Sequence, residues 1–62
     1  MIRELRLKRG WSQSELARRA GVKQSIISYI ENGKTKNPRI DTLSAIATAL
    51  GVPVGRLIRK AG

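Results

Sequence analysis

The sequence predicts an all-α fold of five short helices, and three observations lead there. Gly10, Gly21, Gly33 and Gly51 each follow a segment with helical patterning, where glycine readily takes the left-handed conformation that ends a helix. Apolar residues recur at helical spacing, as in Leu43, Ile46, Ala47 and Leu50. No strand-like alternation, internal repeat or low-complexity segment interrupts this pattern.

Residues 1–9 read as the first helix, with Ile2 and Leu5 on one face and Arg3, Lys8 and Arg9 mostly outside. Ser12 and Glu15 have the Ser-x-x-Glu spacing of a capping box, which starts the second helix at Gln13. Its buried stripe is Leu16, Ala17 and Ala20, and the small Ala17 lets the next helix cross closely. Gly21 makes the turn, with Val22 filling the gap between the two helices. The third helix runs from Gln24 to Glu31 with Ile27 and Ile30 inward. Residues 34–39 are a polar loop, and Pro38 stops a helix from running through it. The fourth helix covers Ile40 to Leu50, with Ile40, Leu43, Ile46, Ala47 and Leu50 as its apolar face. Pro53 pre-sets the first turn of a last helix, about residues 53–59, which returns Leu57 and Ile58 to the core.

At 62 residues the chain is read as one domain, 1–62. It has no cysteine, which excludes a disulfide framework or thiolate metal site, and no histidine, the commonest general base and metal ligand. No metal or cofactor is therefore expected. Thirteen Lys and Arg stand against four Asp and Glu, and the formal charge of +9 points to a polyanionic partner. The plain alternative is a basic surface that keeps the domain soluble. No apolar run approaches the ~20 residues needed to span a bilayer, and Met1-Ile2-Arg3 does not begin a secretory signal. A cytoplasmic location without membrane contact is expected.

The segment Ser12 to Gly33, SQSELARRAGVKQSIISYIENG, is thus two short helices about a glycine. The second carries Gln24, Ser25, Ser28 and Tyr29 on the side its apolar residues leave free. Polar side chains of that reach, on a helix held out by a partner helix, suit the major groove of DNA.

Gln13, Leu16-Ala17, Gly21-Val22, Ile27-Ser28, Ile30-Glu31-Asn32-Gly33, Pro38 and Leu50-Gly51-Val52 together carry a resemblance. The chain resembles the Cro/repressor-type, lambda-repressor-like helix-turn-helix family: the DNA-binding domains of lambdoid phage repressors, Cro proteins and their bacterial relatives. The resemblance covers essentially the whole chain. It implies a compact five-helix DNA-binding domain with its helix-turn-helix at about residues 13–32, in a bacterial or phage-encoded, nucleoid-associated protein. It also implies a transcriptional repressor on a palindromic double-stranded operator. A homodimer would join through the C-terminal helix region, with half-sites ~34 Å apart.

The base contacts expected on that basis are Gln24, Ser25, Ser28 and Tyr29. The Gln24 amide matches adenine N6 and N7, its alternative being an ordinary surface glutamine. Ser25 reaches a base or phosphate, or serves the helix terminus. Tyr29 either meets a thymine methyl or phosphate, or covers part of the core. Ile26 departs from the small or polar residues common at its site and either touches a thymine methyl or packs under the loop. The phosphate contacts expected are Gln13, Arg9, Asn32, Lys34, Lys36 and Arg39, with Arg9 alternatively solvated. By resemblance Gln13 also buttresses Gln24, and Asn37 stands where some relatives have a basic residue. The resemblance further places Arg6 and Glu31 together as a partly buried ion pair joining the first and third helices. Arg18, Arg19, Arg56, Arg59 and Lys60 read as general electrostatic background.

Other function classes fit less well. Glu4, Glu15, Glu31 and Asp41 are the only acidic side chains, no serine has a histidine partner, and no P-loop spacing occurs. An enzyme is therefore not expected. A membrane-surface peptide would need one long amphipathic face, which the glycines interrupt. The competing readings are an antitoxin-like protein-interaction module, or a helix-turn-helix scaffold without a specific target.

Overall fold

The computed structural model describes residues 2–34 and 38–57. The chain forms α1 (Ile2–Lys8), α2 (Gln13–Ala20), α3 (Gln24–Glu31) and α4 (Ile40–Leu50), followed by a single 3-10 turn, Val54–Arg56. The spans of α2, α3 and α4 are those the residue spacing predicts. Of the expected fifth helix the described residues form only this 3-10 turn. Arg56 and Leu57 donate their amides three residues back, to Pro53 and Val54. Gly55 in the middle of the turn disfavours a longer helix by about 1 kcal/mol relative to alanine. Ile58, Arg59 and Lys60 lie outside the described residues.

The ends of α2 show how sequence chemistry sets the boundaries. Ser12 Oγ accepts the Glu15 amide at 3.1 Å. The reciprocal half of the capping box does not form, because the Glu15 carboxylate turns to Arg18 and Arg19. Charge-assisted bonds to those guanidinium groups outcompete a bond to a neutral amide. At the other end Gly21 sits at φ 72°. Val22 then donates to the Ala17 carbonyl at 3.0 Å and Gly21 to that of Arg18 at 3.3 Å. This pair of bonds satisfies carbonyls the helix leaves open, and the same pair recurs after α1, α3 and α4. Trp11, Val22 and Val52, each directly after such a glycine, pack against the core.

Ile2, Leu16, Ala17, Ile27, Leu43, Ile46, Ala47, Leu50 and Leu57 form that core. α2 packs on both α3 and α4, and α4 on the 3-10 turn. Ile40, expected on the inner face of α4, is instead 54% exposed. At 100° per residue it lies about 70° from the middle of the stripe set by Leu43, Ile46, Ala47 and Leu50. As the first helical residue, its side chain also tilts off the open end of the helix. Among the described residues no helix is long and apolar enough to cross a membrane.

Candidate nucleic-acid interface

The crossing of α2 and α3 holds the candidate surface in place. Ala17 is buried on α2 and Ile27 on α3, while the half-buried Val22 and Ile30 pack against the same core. That arrangement turns Gln24, Ser25 and Tyr29 outward, with Ser28 half-buried beside them. Tyr29 is 54% exposed, so its ring does little to cover the core. Ile26 is half-buried without joining the side chains that pack on the core.

The support of Gln24 differs from expectation. Ser14 Oγ donates to Gln24 Oε1 at 2.7 Å, whereas Gln13 Nε2 donates to Glu31 Oε1 at 3.0 Å. Gln13 therefore braces the far end of α3, and the residue after it braces the near end. Sequence spacing did not single out Ser14. Its one visible signal was a short hydroxyl in the first turn of the helix that precedes the candidate groove helix.

Glu31 gathers the end of α3. Arg6 donates Nε to Glu31 Oε2 at 2.7 Å and Nη2 to Oε1 at 3.0 Å, and its Nη1 reaches the Trp11 carbonyl at 2.8 Å. Arg3 Nε adds a longer bond to Oε1 at 3.3 Å. The Glu31 side chain has no exposed surface. Burial by itself would raise its pKa, but hydrogen bonds from Arg6, Gln13 and Arg3 outweigh burial and hold the carboxyl below its ordinary value. The Arg6 guanidinium is correspondingly raised, chiefly by its hydrogen bonds to Glu31. Arg3 also bonds Asn32 Oδ1 at 3.1 Å, and Asn32 Nδ2 donates to Ser28 Oγ at 3.3 Å. The carboxylate at the end of α3 is thereby paired within the domain.

The remaining cations divide into two groups. Lys23, Lys34 and Arg39 are exposed at the ends of α3 and the start of α4, while Lys36 and Asn37 lie outside the described residues. Arg9 is engaged elsewhere: its Nη2 donates to the Leu50 carbonyl at the end of α4. The Arg9 and Arg19 guanidiniums also lie 5.5 and 4.4 Å from the Trp11 ring centroid, within cation–π range. Arg18 and Arg19, both exposed, pair with Glu15 on the same helix. Among the described residues no cluster of acidic side chains could hold a metal ion.

A family model described as helix-turn-helix matches residues 2–57. The chain is 41% identical over 61 residues to the HTH-type transcriptional repressor RghR of Bacillus subtilis strain 168, covering 98% of this chain and 45% of RghR. Across several curated relatives the chain spans between 32% and 53% of their length. The solved N-terminal DNA-binding domain of SinR from Bacillus subtilis superposes with a TM-score of 0.89 at 39% identity, covering 95% of this chain and 86% of that one. SinR, a master regulator for biofilm formation, has also been solved in complex with DNA. That structure superposes with a TM-score of 0.86 at 41% identity over 90% of this chain and 89% of that one.

Proposed function

Because the chain belongs to the helix-turn-helix family, we propose that it binds a specific double-stranded DNA operator and acts as a transcriptional repressor. In this reading α3 enters the major groove with Gln24, Ser25, Ser28 and Tyr29 toward base edges. Gln13, Asn32, Lys34, Lys36 and Arg39 hold the flanking phosphates. Arg9 joins them by leaving the Leu50 carbonyl. The observation that carries the reading is the exposed polar start of α3, on a helix whose opposite face is anchored by the fully buried Ile27.

The wider context agrees with it. A charge of +9 favours a polyanion, RghR is a transcriptional repressor by name, and the SinR domain binds DNA. One short helix offers few base contacts, so two copies acting on a palindromic site are proposed. Their C-terminal segments would join them and space the half-sites about one helical turn apart.

Titrating the protein against duplex DNA at increasing salt tests the proposal. Log affinity should fall linearly with log salt, with a slope of about −0.9 for each phosphate neutralised. A flat response would remove the nucleic-acid reading.

A further inference from the structure

We propose that Arg3 is a positioning residue for DNA binding: it holds the Asn32 amide with its nitrogen, and not its oxygen, turned to a backbone phosphate. This rests on the DNA-binding reading above, in which Asn32 is a phosphate contact. Asn32 is exposed and caps the C-terminal end of α3. Its amide is engaged at both ends. Arg3 Nη2 donates to Oδ1 at 3.1 Å, and Nδ2 donates to Ser28 Oγ at 3.3 Å. The Arg3 guanidinium is itself tied by Nε to Glu31 Oε1 at 3.3 Å, on a carboxylate with no exposed surface. Asn32 is thereby linked to α1 through a group that has its own anchor in the domain.

The direction of the amide follows from the chemistry of the guanidinium. A hydroxyl such as that of Ser28 accepts from one end of an amide or donates to the other, so it does not discriminate between them. A guanidinium has N–H donors and no acceptor, and its positive charge opposes an approaching N–H. Oδ1 therefore lies toward Arg3. Nδ2 carries two hydrogens, and the bond to Ser28 uses one. The other is available to an acceptor outside the domain, since Asn32 is exposed. Phosphate oxygens are such acceptors and carry negative charge. A reversed amide would set Oδ1 against them and lose the contact. Arg3 thus acts on the phosphate through Asn32, and its effect is independent of base sequence.

The test uses the full chain and a duplex selected from a randomised library, with single phosphates replaced in turn by neutral methylphosphonate. The loss of affinity at each replacement is compared between variants. At one phosphate the wild type should lose roughly threefold to tenfold more affinity than Asn32→Ala, as expected for one hydrogen bond. Arg3→Ala should lose most of that excess with the salt slope unchanged, and adding Arg3→Ala to Asn32→Ala should change nothing more at that phosphate. Arg3→Lys keeps a charged, donor-only group and should retain the excess. Arg3 and Asn32 are both exposed, and thermal melting checks that each variant folds. If Arg3→Ala keeps the full excess, or if the wild type and Asn32→Ala lose alike at every phosphate, the proposal is overturned. A salt slope lowered by about 0.9 in Arg3→Ala overturns it too, because Arg3 would then meet a phosphate itself. A wild type that binds no duplex removes the DNA reading, a failure distinguishable because it precedes any comparison of variants.

Discussion

Two arginines share the Glu31 carboxylate, and their exposure separates their value. The Arg6 side chain is 10% exposed and that of Arg3 50%. Removing one partner of a buried pair leaves an uncompensated charge and costs about 3–5 kcal/mol, whereas an exposed pair contributes about 1 kcal/mol or less. Denaturant unfolding of Arg6→Ala should therefore show a loss in the first range and Arg3→Ala in the second. Equal losses would mean that burial does not govern this cluster. The resemblance in the sequence pointed to Arg6 and Glu31. Arg3 and Gln13 were not legible as further partners, because their meeting with Glu31 depends on how α1 and α2 cross α3, and local spacing carries no crossing angle.

At the scale of elements, the glycine after α4 is more constrained than the one after α2. Both adopt positive φ, 72° at Gly21 and 73° at Gly51, where any side chain costs about 1–2 kcal/mol. A Cβ at Gly21 would meet open space, but one at Gly51 would lie 3.2 Å from Arg9 Nη2, which is held by the Leu50 carbonyl. Gly51→Ala should lower the melting temperature more than Gly21→Ala. Combining Gly51→Ala with Arg9→Ala should remove the excess, and a persistent excess would place the strain elsewhere. The helix ends were readable in advance because serine caps and glycine stops act through neighbouring backbone. The Arg9 cap was not, because its acceptor lies 41 positions along the chain. Ile40 was misread because recurrence identifies a stripe without saying whether a partner helix extends far enough to cover its first member.

For the whole molecule, acid is the condition that tests how the few carboxylates are used. Glu31 is held below the ordinary 4.5 by its hydrogen bonds despite burial, and Glu15 chiefly by its hydrogen bond from Arg18, then by that from Arg19. A carboxyl whose pKa falls on folding adds stability above its unfolded value, and that stability is lost as pH drops through the folded one. Arg6 is shifted upward by its hydrogen bonds to Glu31, so its contribution persists throughout acid and neutral solution. Unfolding free energy should thus decline below about pH 4.5, with Glu31→Gln flattening the decline. An unchanged acid limb in that variant would assign it to other groups.

The attachment of α1 has a kinetic meaning. Its arginines Arg6 and Arg3 bond to Glu31, 25 and 28 positions away, while the glycine turn brings α2 and α3 together locally. Contacts that close long stretches of chain form late, so α1 is expected to dock after the locally joined α2 and α3. Stopped-flow measurements on Arg6→Ala should show faster unfolding with the refolding rate nearly unchanged. Slower refolding of the same size would instead put α1 in the nucleus. α1 would then be the last element to take its native place and the first to leave it.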